Sequence, residues 1–322
     1  MRLTNKLISG NYVKMLNNSL SDLNEVSEKV SAERKFLSIS EDPATAIRAF
    51  RIRDSLAQNE VYKNNLSDVQ GLLDEAESTI SIINDVTTEA VAQVLQGITG
   101  TSDPSARKTV ANALRSFQTT IMSAANAKYS DDYMFGGEAT DAMPFTLGVG
   151  GALLYRGQDV DTATFSKEYK FIDIGIGLKI DGSGVVSPDS AMNIAFSGAE
   201  ILGTGVDANG ITNNLYNLLG NIANKLESGD LSNIKQYSDK LNDIADNVRL
   251  NYVSIGEKSN FVTYFNDRLA NRKLTDSKKQ NELEVLTLDE GALMYSEREL
   301  VYNACLQMGT KILQPSLLDY LR

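Results

Sequence analysis

Histidine and tryptophan are absent from the 322 residues, cysteine occurs once, and there are only 5 prolines. Without histidine the chain has no ordinary general base at neutral pH and lacks the commonest zinc ligand. The single Cys305 excludes an intrachain disulfide and a thiolate metal cluster. It also has no imidazole to activate it as a nucleophile, so its expected role is that of a small buried apolar residue. No stretch approaches the ~20 apolar residues of a membrane-spanning helix. The opening MRLTNKLISGNYVKML lacks the apolar core of a cleaved secretory signal, because Ser9, Gly10, Asn11 and Lys14 interrupt it. By these signals alone the chain is soluble and stays where it is made. Basic residues are also in deficit, 31 Lys and Arg against 42 Asp and Glu, for a formal charge of −11. An acidic surface repels phosphate, which makes nucleic acid and anionic membranes poor partners.

What is present is helical periodicity. Leu66, Val69, Leu73, Ala76, Ile80, Ile83, Thr87, Ala90, Val94 and Gly97 follow in steps of three and four, the spacing of a coiled-coil seam. Asp42 as cap and Pro43 in the first turn predict a helix from about 43 to 97. Val13, Leu16, Leu20, Leu23 and Val30 form a shorter seam upstream, and SAERKFLSISEDP is the connector between the two. GITGTSDPSAR predicts a turn, with Asp103 capping a helix that carries Ala106, Val110, Ala113, Phe117, Ile121 and Ala124. Near Tyr133 the pattern changes. Ile172, Ile174, Ile176, Leu178 and Ile180 alternate with polar residues and glycine before DGSG, which predicts a half-buried strand and a turn. From Ile234 a second long register runs through Tyr237, Leu241, Ile244, Val248, Asn251, Ile255, Lys258, Val262, Phe265, Leu269 and Arg272. It continues through Leu283, Leu286, Leu293, Leu300 and Ala304, and unbroken it would make one helix of ~80 residues, or ~120 Å.

Candidate chemistry is sparse. GTGVDA, Gly203 to Ala208, matches a loose dinucleotide fingerprint, but no strand precedes it and no βαβ unit surrounds it, so a helix–helix loop is expected. Asp131 and Asp132 could face a cation, yet adjacent helical residues point apart, and a solvated helix end is the better expectation. Asp159 and Asp161 resemble part of a calcium loop that lacks its closing Glu, since Lys170 stands there. Tyr133, Phe135, Phe145 and Tyr155 are expected in the core where the inserted segment meets the helices. Nothing here supports an enzyme, and no cofactor or metal is expected.

Helical segments at both ends bracket a distinct middle. With the strings MRLTNKLISGNYVKMLNNSLSDLNEV, SISEDPATAIRA, YMFGGEATDAMPF and the terminal LLDYLR, the chain resembles the flagellin superfamily, and within it the hook–filament junction proteins; the filament subunit is the near alternative, and a type III secreted coiled-coil effector or adhesin the more distant one. That resemblance implies a mainly α, elongated flagellin-like rod of long N- and C-terminal coiled-coil helices with a small inserted β-rich domain. The implied division is an N-terminal assembly helix and connector (1–42), a helical hairpin (43–136), the insertion (137–192), C-terminal rod helices (193–280) and a C-terminal assembly helix (281–322). It also implies export by the flagellar type III apparatus without signal cleavage, which reverses the expectation that the chain stays where it is made. The implied partners are hook-associated protein 1, flagellin, other copies of the chain in a junction ring, and an export chaperone. The assembly interface would comprise Val13, Leu16, Leu20, Leu23, Val30, Leu293, Leu300, Ala304, Met308, Ile312, Leu317, Leu318, Tyr320 and Leu321. The rod seam would comprise Leu66, Val69, Leu73, Ile80, Ile83, Leu241, Ile244, Val248, Ile255 and Val262. Pro315 is expected to end the last helix and leave SLLDYLR as a docking segment.

Overall fold

The computed structural model describes residues 2–98 and 103–312 and is mainly helical. Its helices are α1 (Arg2–Ala32), α2 (Pro43–Ile98), α3 (Pro104–Ala125), α4 (Gly198–Leu202), α5 (Leu215–Ser228), α6 (Ile234–Glu284) and α7 (Leu288–Ile312). The short strands are β1 (Lys128–Tyr129), β2 (Asp132–Tyr133), β3 (Phe145–Leu147), β4 (Leu153–Tyr155), β5 (Gln158–Asp159), β6 (Phe171–Ile172) and β7 (Met192–Asn193). Two compact units result, one of residues 1–59 with 271–322, the other of residues 60–270.

The second unit is organised by the long seam of α2. Leu66, Val69, Leu73, Ile80 and Ile83, with Leu241, Ile244, Val248, Ile255 and Val262 of α6, are each at most 4% exposed and share one core cluster. Side chains cross between the two helices, with Gln70 donating to Ser259 Oγ at 3.0 Å and Tyr252 donating to Glu77 at 3.4 Å. Lys258 occupies a seam position as a cation. Its ammonium lies 4.6 Å from the Phe196 ring, and burial pushes its pKa down against the opposing charge of Glu200. α3 packs on α5, where Arg115 donates to both Glu227 oxygens and to Asn224.

Residues 137–192 enter the same core. Phe145, Leu153, Tyr155 and Ile174 are fully buried, and Phe145 and Tyr155 pack at 5.1 Å between ring centroids. The β3–β4–β5 meander is tied to the end of α3 by Asn126, which donates to Phe145 C=O and accepts from Phe145 N–H, both at 3.0 Å. Asn65 of α2 donates to Asp173 C=O at 2.8 Å.

Several sequence expectations are corrected. The alternating run 172–180 is not one strand: β6 ends at Ile172 and only Ile174 is buried, while Ile176, Leu178 and Ile180 are exposed. Gly175 at φ +84° and Gly177 at φ +113° turn the backbone out of the extended region, which an alternating pattern alone does not reveal. Asp131 and Asp132 sit on the tight β1–β2 hairpin rather than at a helix end. Asp103 occupies the N-cap of α3, but its carboxylate takes the Ser105 hydroxyl instead of a helix amide. Asp42 does cap α2, accepting from Thr45 N–H at 3.0 Å. The 80-residue helix is two helices, because α6 stops at Glu284 and α7 starts at Leu288. Thr287 and Glu290 form a reciprocal box: Glu290 N–H donates to Thr287 Oγ1 and Thr287 N–H donates to Glu290 Oε2.

Replacing Tyr155 by Ala should destabilise the 60–270 unit by ~3–5 kcal/mol, the usual loss for a buried large aromatic. Ile180→Ala, at an exposed position, should stay within ~0.5 kcal/mol of the parent. Denaturant unfolding followed by circular dichroism compares the two; equal effects would mean that the inserted segment does not share the helical core.

Candidate assembly site on the terminal helices

In the first unit α1 and α7 lie side by side. Tyr12 sits on Gly309, Asp22 pairs with Arg298 at 3.2 Å, and Val30 abuts Gly291. As the position advances along α1 its partner retreats by nearly the same amount along α7, so the pair is antiparallel. The buried stripe of α1 repeats every seven residues at Tyr12, Ser19 and Val26, flanked by half-buried Leu16, Leu23 and Val30. On α7 the facing stripe is Gly291, Met294, Arg298, Tyr302, Cys305 and Gly309, with Gly291, Cys305 and Gly309 buried. The glycines make room for close approach. A Cβ at Gly309 would overlap the Tyr12 ring, and one at Gly291 would come within 3.1 Å of Val30 Cγ2. Ser19 Oγ is buried in this stripe without a hydrogen-bond partner.

Where α1 and α6 end, the chain is clamped. Lys35 N–H donates to Glu284 C=O at 2.9 Å and Leu286 N–H donates to Glu33 C=O at 3.0 Å, while Arg34 and Val285 form an isolated antiparallel bridge. Arg53 donates to Glu284 Oε2 at 2.8 Å, and Lys29 reaches Glu25 and Glu41 at 2.6 and 2.7 Å. Burial alone would raise the Glu284 carboxyl, but hydrogen bonds from Arg53 and Gln280, with the Arg53 charge, outweigh it and hold the pKa below its ordinary 4.5. The Lys29 hydrogen bond likewise lowers Glu41.

The expected assembly residues fall into three groups. Val13 and Leu20 of α1 and Leu293, Leu300, Ala304 and Met308 of α7 point outward, with Leu293 at 63% and Leu300 at 71% exposure. Leu16, Leu23 and Val30 are half-buried in the α1–α7 stripe. Ile312 ends α7, and Leu317, Leu318, Tyr320 and Leu321, with the expected Pro315 break, lie outside the described residues. Sequence reasoning missed Tyr12, Ser19 and Val26 as the buried repeat, because a polar residue and a tyrosine hide the period. It missed the Gly291 and Gly309 face because glycine carries no hydropathy signal. The outward face continues with Leu7, Ile8 and Met15 on α1 and Leu288, Val301 and Leu306 on α7.

Asp161 is bound by the Thr212 hydroxyl and, at 2.8 Å, by Asn217, and GTGVDA lies in the loop between α4 and α5. Cys305 is a free, buried thiol. Among the described residues no group of three His, Cys, Asp or Glu is placed to hold a metal, and no helix is long and apolar enough to cross a membrane.

Helices at both ends of one chain, paired and still apolar on their outer faces, are the feature to compare with known proteins. Residues 4–140 match the bacterial flagellin N-terminal helical region. The chain resembles flagellar hook-associated protein 3. It is 25% identical over 170 residues to that protein from Salmonella typhimurium, covering 51% of this chain and about half, 53%, of the relative. Two solved structures share the fold. A chain described as a flagellar hook-associated protein from Vibrio parahaemolyticus aligns at TM-score 0.60 with 19% identity, covering 76% of this chain and 100% of that one. The flagellar junction protein FlgL from Legionella pneumophila aligns at TM-score 0.57 with 10% identity, covering 74% and 100%.

Two outcomes test this geometry. Gly309→Val should force Tyr12 away, and hydrogen exchange along α1 should rise while amides of the 60–270 unit keep their protection. Because Glu284 and Glu41 are depressed, their stabilisation is present above the ordinary carboxylate pKa and is lost as pH falls through the lower folded values. Thermal unfolding of the 1–59/271–322 unit should therefore weaken below about pH 4. Glu284→Gln should blunt that dependence; an unchanged pH profile would remove Glu284 from the account.

Proposed function

We propose that this chain is a hook–filament junction subunit of a bacterial flagellum, ordered by assembly through its terminal helices. The observation that carries the reading is the outward apolar face of the α1–α7 pair, in a chain whose first 140 residues are flagellin-like and whose fold is that of hook-associated proteins. Wet apolar surface is unfavourable by roughly 25 cal/mol per Å², and neighbouring subunits are the natural cover for it. Contacts that use two different patches of each subunit build rings or helical tubes rather than closed dimers. In this reading one surface meets hook-associated protein 1, another meets flagellin, and copies of the chain close the layer between them. Before assembly an export chaperone would hold the chain. Export through the flagellar type III apparatus suits a chain without disulfides, which can be threaded unfolded.

The test replaces Leu293 and Leu300 by Asp. Both are exposed, so monomer stability should change by no more than ~0.5 kcal/mol each. In cells lacking the parental gene, the double variant should be exported yet leave flagellin unpolymerised in the medium. Normal filaments would overturn the proposal. Cryo-electron microscopy of parental hook–filament junctions should show the chain as a thin layer; its presence along the whole filament would make it the filament subunit instead.

A further inference from the structure

Charge is segregated along α2. Its first turns carry Arg48, Arg51 and Arg53, whereas between Lys63 and Arg107 the sequence holds no Lys or Arg at all. That same stretch of helix bears Asp68, Asp74, Glu75, Glu77, Asp85 and Glu89. Glu77 is half-buried and bound by Tyr252; the other five are exposed, on the side of α2 opposite its buried seam. Among the described residues Asp68, Glu75 and Asp85 make no ion pair, and neither do Arg48, Arg51 or Lys279, although the Arg48 charge is felt at Asp42.

The basic end is also shaped. In the 1–59/271–322 unit Arg48, Arg51 and Ile52 of α2 form an open groove with Asp276, Lys279, Glu282 and Leu283 of α6. Asp276 is already committed, accepting from Ser55 at 2.8 Å and lying 3.8 Å from Arg272. That leaves Arg48, Arg51 and Lys279, none in an ion pair among the described residues, beside the aliphatic Ile52 and Leu283 and the single free carboxylate of Glu282 in the groove. An exposed helix face with carboxylates spaced seven residues apart, and Ile82 exposed between them, has the matching character. Asp68, Glu75 and Glu89 stand at such intervals around Ile82.

We propose that the Arg48–Arg51–Lys279 groove receives the acidic outer face of α2, centred on Glu75 and Glu89, from a second copy of this chain. The two patches differ, so the contact is heterologous: each copy offers a groove to one neighbour and an acidic face to another. It deepens the junction reading by naming how copies meet, and it rests on that reading only for the expectation that copies assemble. Exposed charge pairs are screened over about 8 Å at physiological salt, so the contact sets register and salt dependence while the apolar faces supply most of the adhesion.

The experiment uses the full-length purified chain, concentrated as an equal mixture of isotope-labelled and unlabelled protein and treated with a carbodiimide, which joins amines to carboxylates. Mass spectrometry should find mixed-isotope Lys279–Glu75 or Lys279–Glu89 links at low salt, reduced at least tenfold in 0.5 M salt. Arg48→Glu with Arg51→Glu should weaken self-association in sedimentation at least tenfold, as should Glu75→Arg with Glu89→Arg. Combining the two weak variants in one solution should restore association, because each then finds a complementary neighbour. Circular dichroism melting guards against misfolding, and all four substitutions are at exposed positions. Absence of those links, association indifferent to the reversals, or no recovery on mixing overturns the proposal. So does preferential linking of Lys279 to added flagellin, which would give the groove to another occupant. A parental chain that assembles this way without retaining flagellin on cells would instead defeat the junction reading alone.

Discussion

Two helices packed side by side can hide only the stripe along which they touch. That limit governs the terminal part of this molecule. α1 and α7 bury Tyr12, Ser19 and Val26 against Gly291, Cys305 and Gly309, and both remain apolar on their free sides. The buried stripe is chemically modest: glycine, serine, one thiol, and an Asp22–Arg298 pair at its edge. The larger aliphatic side chains, Leu293 and Leu300 among them, are turned out. A pair designed only to fold on itself would have these groups the other way round. The 60–270 unit has the opposite character, since its α2 and α6 seams are closed by one another and by the aromatic residues of the β-rich segment.

This contrast explains what the sequence disclosed. Seams made of Leu, Ile and Val on both partners, as at Leu66 to Val94 and Leu241 to Val262, announce their register, because the same face is apolar for many turns. The start of α2 was legible too, since Asp42 and Pro43 are local signals with a local cause. The terminal helices were legible as helices but not in their facing. Two apolar stripes compete there, and the one that packs inside the chain is the less hydrophobic. The break before α7 was written plainly in TLDE as a capping box, but the periodicity runs on through it and draws the eye past. The glycines at 175 and 177 work by backbone conformation, which alternation of hydropathy cannot report. Burial of Phe145 and Tyr155 against the helices was expected from their clustering, whereas the intrusion of Ile174 and the hydrogen bond from Asn65 to Asp173 depend on tertiary geometry.

The clamp between the end of α1 and the end of α6 relates these features. It joins segments about 250 residues apart with backbone hydrogen bonds; Lys29–Glu41 ties the connector to α1, and Arg53–Glu284 ties α2 to the end of α6. Those carboxylates are ionised through the neutral range, so the connector is held in the range where the molecule must work. Asp42 capping α2 and the Thr287–Glu290 box starting α7 give the helix after each connection a local polar start, and Leu286 is buried in the second connection.

The antiparallel pairing of α1 with α7 also has a consequence for how the molecule comes into being. Tyr12 meets Gly309 only after all the residues between them have been made, so the contact has a very long sequence separation. Loop-closure entropy rises slowly with length, so distance is less an energetic obstacle than a matter of order: local helices and the 60–270 core can form first, and this contact last. At about 5–20 residues per second, synthesis takes some tens of seconds. Throughout that interval α1 has been made and its natural partner has not. Its greasy side is therefore open from the start of translation to whatever in the cell recognises a short amphipathic helix.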